Sequence, residues 1–213
     1  MMKLYDYLPS QNAYKVRLLL AHLGIECETV PVSIFEGGGQ TPEFLARNPT
    51  GAVPVLELED GRTLPESNAI LLYLAEGTPY LPADPWLRAQ VARWMFFEED
   101  YVQNGIATLR HWVLTGKAVR RSEETLATKR ATSLKTLQIL DTWLQTRDFL
   151  VDCGYTIADM AVYAYVGFAE EAGLPADDYT CVQRWIARIR AQPGFLPTVH
   201  PYSIDPSSRN ELP

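Results

Sequence analysis

A hydroxyl and an amide, those of Ser10 and Asn12, follow a short apolar run at the point where the sequence predicts the start of a helix. The first N–H groups of a helix have no partner inside it, and the helix dipole makes that end positive, so an anion is favoured there. A thiolate is stabilised at such a terminus for the same reason. Serine and asparagine are also preferred helix caps, so these residues alone predict either a thiolate or phosphate site or a simple cap.

Two later motifs carry groups suited to a peptide-like ligand. In the run 48–55, Pro54 stands at the head of a predicted strand, where it need not donate to the ladder. If the Val53–Pro54 bond is cis, the N–H and C=O of Val53 turn outward and can pair with an extended ligand. Glu66 and Ser67 open another predicted helix, with a carboxylate suited to an amino group and a hydroxyl suited to a carboxylate. An acidic first turn also stabilises any helix, so this motif has a purely structural interpretation as well.

The first 76 residues contain short β-like runs separated by turns, and these elements must position the three motifs. Strands are predicted at 4–8, 29–32, 53–58 and 63–64, and helices at 12–23 and 67–75. The first strand, the first helix and the second strand form a βαβ unit of the expected length, about 30 residues. The turn at 59–62 then joins two antiparallel strands. The predicted order is therefore βαβ and, after a long connection, ββα.

The rest of the chain has a different character. Residues 77–86 are rich in proline and predict a linker. Beyond them, large apolar residues recur at helical spacing in four stretches, 87–114, 123–146, 157–172 and 182–191. Residues 87–200 therefore predict an all-helical domain. The Pro- and Ser-rich residues 201–213 predict a loosely attached tail.

The composition is that of a folded globule and argues against several classes of function. The chain has 213 residues, of which 47% are hydrophobic and 21% charged, and a formal charge of −7. That charge argues against a nucleic-acid surface, and charged residues interrupt every apolar run before it could span a membrane. The sequence predicts no signal peptide, and Cys27, Cys153 and Cys181 match neither a metal-binding spacing nor a disulfide framework. A cytoplasmic protein without a metal, nucleic-acid or membrane partner is expected.

Taken together, the motifs resemble a known family. The order Ser-x-Asn after a strand, Asn-Pro-x-Gly-x-Val-Pro, Glu-Ser-x-Ala-Ile and a helical domain is similar to that of the cytosolic glutathione S-transferases, from Leu4 to about Pro197. The run 10–16 most resembles the bacterial members of the serine/threonine-plus-asparagine type. The residues Thr156 to Asp159 are similar to a capping box in the helical domain of this family. The resemblance implies a thioredoxin-like α/β N-terminal domain, residues 1–76, that binds glutathione, followed by an all-α domain with an electrophile pocket.

The resemblance also implies roles for the motifs at the start of the chain. Ser10 is expected to hydrogen-bond the glutathione sulfur, with Asn12 assisting. Val53, beside Pro54, is expected to pair its backbone with the cysteinyl unit.

Other residues are implied at the two ends of the glutathione molecule. Glu66 and Ser67 are expected to hold the γ-glutamyl group. Gln40 lies where the family often has a basic residue near the glycyl carboxylate, so this chain offers a neutral amide there. Asp100 is the candidate for an acidic residue that approaches the glutathione amine from the partner subunit of a homodimer.

The helical domain is expected to supply the electrophile pocket, with Phe97, Tyr101 and Arg110 as candidates on its first helix. An aromatic stripe at helical spacing also fits a simple core. Tyr5 and Tyr7 lie within or beside the first strand, and the sequence gives catalysis by a tyrosine little support.

The implied activity is a detoxification reaction, in which glutathione thiolate is conjugated to small hydrophobic electrophiles by a homodimer. A glutathione-dependent disulfide reductase, which uses two glutathiones and no protein cysteine, remains an alternative. A non-catalytic binding module is a third, because the same fold also serves for interaction. No metal is expected.

Overall fold

The computed structural model describes residues 1–212, and the chain divides into two compact units. The first unit contains Met1–Glu76 and the C-terminal segment that begins at Pro193; the second contains Gly77–Gln192.

A four-stranded mixed sheet forms the centre of the first unit. Its strands are β1 (Lys3–Asp6), β2 (Glu28–Pro31), β3 (Val55–Glu57) and β4 (Thr63–Pro65), in the spatial order β2-β1-β3-β4. β1 pairs with β2 in parallel, and both β1–β3 and β3–β4 are antiparallel. The thioredoxin-like βαβ-ββα order predicted from the sequence is confirmed.

The register of this sheet brings the three predicted motifs to one end. Tyr5 near the end of β1 pairs with Val55 at the start of β3, and Val55 pairs with Pro65 at the end of β4. The chain that leaves β1 toward Ser10, the chain that enters β3 and the chain that leaves β4 toward Glu66 therefore lie at the same end.

Three helices accompany the sheet: α1 (Gln11–Leu23), α2 (Pro42–Leu45) and α3 (Ser67–Leu74). α1 ends as predicted at Gly24, whose backbone is left-handed with a φ of 63°. α2, which the sequence analysis did not predict, is a single turn whose N-terminus is capped by the Thr41 side chain.

The second unit is all-helical, as predicted, and the segment 77–84 that leads into it contains no helix or strand. Its helices are α4 (Pro85–Phe97), α5 (Thr108–Leu114), α6 (Glu123–Trp143), α7 (Ile157–Val166) and α8 (Thr180–Arg190). Every residue of α7 is buried, which makes this helix the centre of the unit.

The single helix predicted over 87–114 contains an irregular middle. Between α4 and α5 the ten residues Glu98–Ala107 follow π-helical hydrogen bonding. Gly105 in this stretch lies against α6, where an added Cβ would meet the Ser133 backbone nitrogen at 3.1 Å. Apolar periodicity predicts a helix but does not distinguish a π-helical stretch from an α-helical one.

The predicted capping box at the start of α7 is present. The Thr156 side chain caps the helix, and the Asp159 carboxylate accepts hydrogen bonds from the backbone N–H groups of Thr156 and Leu150 and from the Trp185 indole. Burial is the largest influence on this carboxyl and raises the pKa of Asp159 to about 6.

The segment predicted as a loose tail, described to residue 212, is hydrogen-bonded to the rest of the first unit at Asp205 and Ser207. Asp205 accepts a hydrogen bond from the Tyr7 hydroxyl at 2.7 Å, and the Ser207 hydroxyl donates to Glu36 at 3.2 Å. Polar composition suggested weak attachment, whereas specific side-chain pairs hold the segment in place.

Candidate functional site

Ser10 is the N-cap of α1, and its geometry leaves its hydroxyl proton available. Its side-chain oxygen accepts a hydrogen bond from the Ala13 N–H at 3.3 Å, which is long for a cap. The Ser10 N–H donates to the Tyr7 carbonyl at 2.7 Å, which fixes the turn before the helix. Since a capping serine acts as an acceptor, its O–H can still donate to a ligand at the same helix end.

Ser10 lines a groove of about 270 Å³, and Gln40 and Val53 line the same groove. Three of the residues predicted to bind glutathione are thus brought together at the end of the sheet. Asn12 lies on α1, is partly buried and is not part of the lining of this groove.

Two glycines hold the walls of the groove together. An added Cβ on Gly39 would lie 2.1 Å from the Gly51 carbonyl oxygen, and one on Gly51 would lie 2.4 Å from the Gln40 side-chain nitrogen. Gly51 also has a φ of 70°, a conformation that glycine adopts without strain. This backbone contact keeps Gln40 at the groove.

The loop before β3 is ordered by Asn48. Its amide oxygen accepts from the Thr50 N–H at 3.1 Å, and its amide nitrogen donates to the Ala52 carbonyl at 2.8 Å. The Val53–Pro54 peptide is cis. The pairing of β3 with β1 and with β4 involves residues from Val55 onward. The backbone of Val53, two residues earlier, therefore lies outside the paired part of the sheet.

Glu66 and Ser67 differ sharply in their environment. Glu66 is exposed and has a φ of 72°, the one positive φ of a non-glycine residue among residues 1–212. Such strain costs about 1–3 kcal/mol and clusters at ligand clamps and active sites. Ser67 is buried, and its hydroxyl accepts a hydrogen bond from the Lys15 ammonium at 3.3 Å.

Lys15 is a residue that the sequence analysis missed. It lies on α1 and is fully buried, with an exposed fraction of 0%. Lysine is almost never fully buried without a partner, and the Ser67 hydroxyl at the N-terminus of α3 is one partner of the Lys15 ammonium. The available signal was a lysine next to the apolar stripe of α1.

Arg17 was missed as well, and it braces the turn before Ser10. Its guanidinium donates to the buried Asp6 carboxylate and to the Leu8 carbonyl, the latter at 2.9 Å. Both acceptors lie in or just after β1, so Arg17 ties α1 to the chain segment that delivers Ser10.

The phenols of Tyr5, in β1, and Tyr7, just after it, already donate to carboxylates. The Tyr5 hydroxyl donates to Glu57 at 2.8 Å and the Tyr7 hydroxyl to Asp205 at 2.7 Å. Burial, reinforced by these hydrogen bonds, raises the pKa of both tyrosines above the ordinary value. Neither hydroxyl is therefore arranged to donate to a thiolate. The sequence likewise gives little support to catalysis by a tyrosine.

The helical unit contains a separate aromatic cavity of about 760 Å³. Phe97, Tyr101 and Asp100 line it, and the rings of Phe97 and Tyr101 stack with centroids 5.0 Å apart. The Arg93 guanidinium lies over the rings of Trp94 and Trp143 at 4.8 and 4.7 Å.

Arg110, predicted to join Phe97 and Tyr101 in an electrophile pocket, lies outside this cavity. It is buried and donates to Glu171 at 2.7 Å, with its guanidinium over the Phe168 ring. A buried guanidinium requires a counter-charge, and the ion pair with Glu171 provides one.

Within residues 1–212, no group of three or more His, Cys, Asp and Glu side chains could hold a metal ion, and no helix is long and apolar enough to cross a bilayer. The three cysteines are all unbridged.

Comparison with known proteins agrees with this geometry. The family model for the "Glutathione S-transferase, N-terminal domain" matches residues 1–76, and that for the "Glutathione S-transferase, C-terminal domain" matches residues 87–193. The mouse (Mus musculus) maleylacetoacetate isomerase is 32% identical over 84% of this chain and 83% of its own length.

Solved structures match over most of the chain. A glutathione S-transferase from Pseudomonas fluorescens has a TM-score of 0.90 at 40% identity and covers 92% of this chain and 98% of its own. A glutathione transferase from Pseudomonas putida, solved with glutathione disulfide bound, has a TM-score of 0.76 at 28% identity and covers 91% of this chain and 88% of its own. On these matches to both of its domains, the chain belongs to the glutathione S-transferase family.

Proposed function

We propose that this protein binds glutathione and activates its thiol for transfer to small hydrophobic electrophiles. The observation that carries the proposal is the groove in which Ser10, Gln40 and Val53 meet at the N-terminal end of α1. The bound glutathione disulfide of the Pseudomonas putida relative supports a ligand of this class.

Ser10 is the residue we assign to thiol activation. A free thiol of pKa about 8.5 is only about 3% ionised at pH 7, and a depression of about 2 pKa units raises that fraction to about 75%. The depression corresponds to about 2.7 kcal/mol of preferential thiolate binding. One charge-assisted hydrogen bond from the Ser10 hydroxyl, worth about 1.5–3 kcal/mol, is of this size, and the N–H groups of the helix end add to it. Asn12 is assigned a supporting role at the same terminus.

The rest of the ligand is assigned along the same end of the sheet. The backbone of Val53 pairs with the cysteinyl unit, and Glu66 and Ser67 hold the γ-glutamyl group. The Lys15 ammonium behind Ser67 favours a carboxylate there. Gln40 meets the glycyl end with a neutral amide, so that end is held by hydrogen bonding and without an ion pair.

The chemical step balances without a protein nucleophile. The thiol proton leaves to solvent as glutathione binds, and the thiolate sulfur then attacks an electrophilic carbon. With an aryl chloride, one C–S bond forms, one C–Cl bond breaks and chloride leaves. Ser10 donates a hydrogen bond to the sulfur before the attack and keeps its own proton throughout.

We assign the aromatic cavity of the helical unit to the face covered by a second copy of the chain in a homodimer. Phe96 and Tyr101, which line this cavity, are 72% and 39% exposed, and a contiguous exposed apolar patch of this kind marks an interaction surface. In this homodimer, Asp100 in the same cavity is the acidic residue that approaches the amine of the glutathione bound by the partner subunit. Phe97 and Tyr101 are aromatic residues that belong both to this dimer face and to the electrophile pocket.

A second candidate reaction is glutathione-dependent cis–trans isomerisation. It is favoured by the mouse relative, which is named a maleylacetoacetate isomerase and aligns over 84% of this chain. There the thiolate adds to a carbon–carbon double bond, the bond rotates, and elimination returns glutathione unchanged. The same thiolate site serves this chemistry.

A third candidate reaction of the same thiolate is the reduction of disulfides. Two glutathiones reduce one disulfide, giving two thiols and one glutathione disulfide. The two electrons that reduce the substrate are those lost by the two glutathiones. The absence of a cysteine from residues 8–26, around the helix start, is compatible with this route, because glutathione supplies both sulfurs.

The consumption of glutathione distinguishes these reactions. The protein is assayed with 1-chloro-2,4-dinitrobenzene, bis(2-hydroxyethyl) disulfide and maleylacetoacetate, while reduced glutathione and glutathione disulfide are each measured. We expect one thiol consumed per aryl conjugate, with faster turnover than on the other two substrates. Faster formation of one glutathione disulfide per substrate disulfide indicates reduction, turnover without loss of glutathione indicates isomerisation, and binding without turnover indicates a binding module. No calorimetric binding of glutathione would overturn the proposal.

A further inference from the structure

The C-terminal segment 201–212 is attached to the end of β1 beside the groove, and the attachment is specific. The carboxylate of Asp205 accepts a hydrogen bond from the buried Tyr7 hydroxyl at 2.7 Å. The Tyr202 ring lies 6.3 Å from the Tyr7 ring, and Ser207 donates to Glu36 at 3.2 Å. Tyr7 stands three residues before Ser10, so the segment is anchored to the same turn that delivers the candidate thiol donor.

This segment carries one apolar side chain into the candidate glutathione groove. Leu212 lines the groove together with Ser10, Gln40 and Val53. The residues just before it, 207–211, are all polar or charged, so Leu212 is the apolar group of this stretch. Its side chain is 56% exposed, which leaves surface free to contact a bound molecule.

The position of Leu212 has a chemical consequence. An electrophile must approach a sulfur held beside Ser10, within the groove that Leu212 lines. An apolar wall at that point favours apolar electrophiles over polar ones, because burial of apolar surface is favourable and a polar group there loses its water.

We propose that the Tyr7–Asp205 hydrogen bond is a latch that holds the C-terminal segment in place, and that Leu212 on this segment determines the preference of the groove for apolar electrophiles. The proposal rests on the proposed glutathione-transferase function for its kinetic readout. Tyr7 is thereby a positioning residue for the segment and does not donate to the sulfur.

Three variants and a matched control test the proposal in the full-length protein. Leu212→Gln replaces the apolar wall by a polar side chain of similar size. Tyr7→Phe and Asp205→Ala remove the latch from its two ends. Tyr5→Phe is the control, because it removes a similar phenol–carboxylate hydrogen bond, to Glu57 at 2.8 Å, two residues earlier in the chain without touching the segment.

The kinetic readout compares kcat/KM for 1-chloro-2,4-dinitrobenzene with that for iodoacetamide, a small polar electrophile, at saturating glutathione. We expect Leu212→Gln to lower this ratio about three- to tenfold, since the loss of one buried methylene-sized contact corresponds to about fourfold. Tyr7→Phe and Asp205→Ala should lower it similarly, and Tyr5→Phe should leave it unchanged. The Kd of glutathione, measured by calorimetry, should stay within about twofold in all four.

A second readout is independent of the enzymatic activity. Trypsin cleaves after Arg209, which is exposed but lies in a short helix held by the latch. Release of the segment should therefore speed cleavage there several-fold in Tyr7→Phe and Asp205→Ala but not in Tyr5→Phe. This readout tests the latch even if the wild-type protein does not bind glutathione, in which case the proposed function fails separately.

Four results would overturn the inference. The first is an unchanged ratio of kcat/KM values in Leu212→Gln. The second is a lower Kd of glutathione in the same variant, since Leu212 would then obstruct the groove. The third is a bound-thiol pKa raised by Tyr7→Phe and unaffected by Asp205→Ala, which would make Tyr7 a donor to the sulfur. The fourth is unchanged trypsin cleavage in both latch variants.

Discussion

Glu66 combines two properties that are rarely found together in a residue without a ligand role. Its φ of 72° is strained for a side chain with a Cβ, yet its own carboxylate makes no capping bond to α3. The strained backbone of Glu66 therefore does not serve a side-chain cap of α3. It does direct a charged group outward beside Ser67 and the buried Lys15, at the end of the sheet where the γ-glutamyl group is assigned.

The first prediction concerns this residue. Glu66→Ala should raise the Kd of glutathione about tenfold, or about 1.4 kcal/mol, which is below the range of about 2–5 kcal/mol for a buried charged contact because the Glu66 side chain is exposed. Calorimetric titration measures the change. Glu66→Gly serves as the control for backbone strain, since it removes the carboxylate while relieving the positive φ. Equal affinities in the wild type and Glu66→Ala would remove Glu66 from the site.

At the scale of elements, α7 depends on a carboxylate with an unusual environment. Asp159 is fully buried and receives three hydrogen bonds from N–H groups, and burial raises its pKa from 3.8 to about 6. Between these two pH values the folded state holds a proton that the unfolded state has released. The contribution of this group to stability therefore falls as the pH rises from about 4 to 6.

Asp159→Asn tests this dependence. The amide does not titrate, so the variant should lose the downward slope, which is at most one proton or about 1.4 kcal/mol per pH unit. Urea unfolding at pH 4, 5, 6 and 7 gives the free energy of unfolding of both proteins. We expect the difference between wild type and variant to shrink as the pH rises. A difference that is constant with pH would contradict the raised pKa.

Local motifs predicted most elements of the chain, with the single-turn α2 and the π-helical stretch 98–107 missed, and long-range pairs were the source of the misses among side chains. The strands, α1, α3 and the capping box follow from periodicity and from caps within a few residues. The burial of Arg110 against Glu171, which is 61 positions away, is not visible in any local pattern. The same is true of the attachment of Asp205 to Tyr7 and of Lys15 to Ser67, each made by distant parts of the chain. Ser10 and Val53 were predicted because they stand in motifs, and Gln40 because of its position in the family resemblance, whereas Leu212 has neither signal.

At the scale of the whole molecule, the proposed homodimer makes a direct prediction. Phe96→Glu places a charge on the exposed rim of the aromatic cavity, and burying it between two copies would be costly. Light scattering should show the mass falling to about half that of the wild type. Val119→Glu is the control, because Val119 is 89% exposed in a short 3-10 turn and does not line the cavity. A wild-type mass of one chain, or an unchanged mass in Phe96→Glu, would contradict the assigned face.

The central claim is that Ser10 stabilises the thiolate of bound glutathione, and the ultraviolet absorbance of that thiolate against pH tests it most directly. Ser10→Ala should raise the bound-thiol pKa by about 1–2 units, the equivalent of one charge-assisted hydrogen bond, with a much smaller change in glutathione affinity. Ser122→Ala is the matched control: Ser122 caps α6 through Thr125 as Ser10 caps α1, so its loss should cost about 1 kcal/mol of stability and leave the thiol pKa unchanged. A raised pKa in Asn12→Ala alone would move the role to the amide. An unmoved pKa in Ser10→Ala would contradict the account.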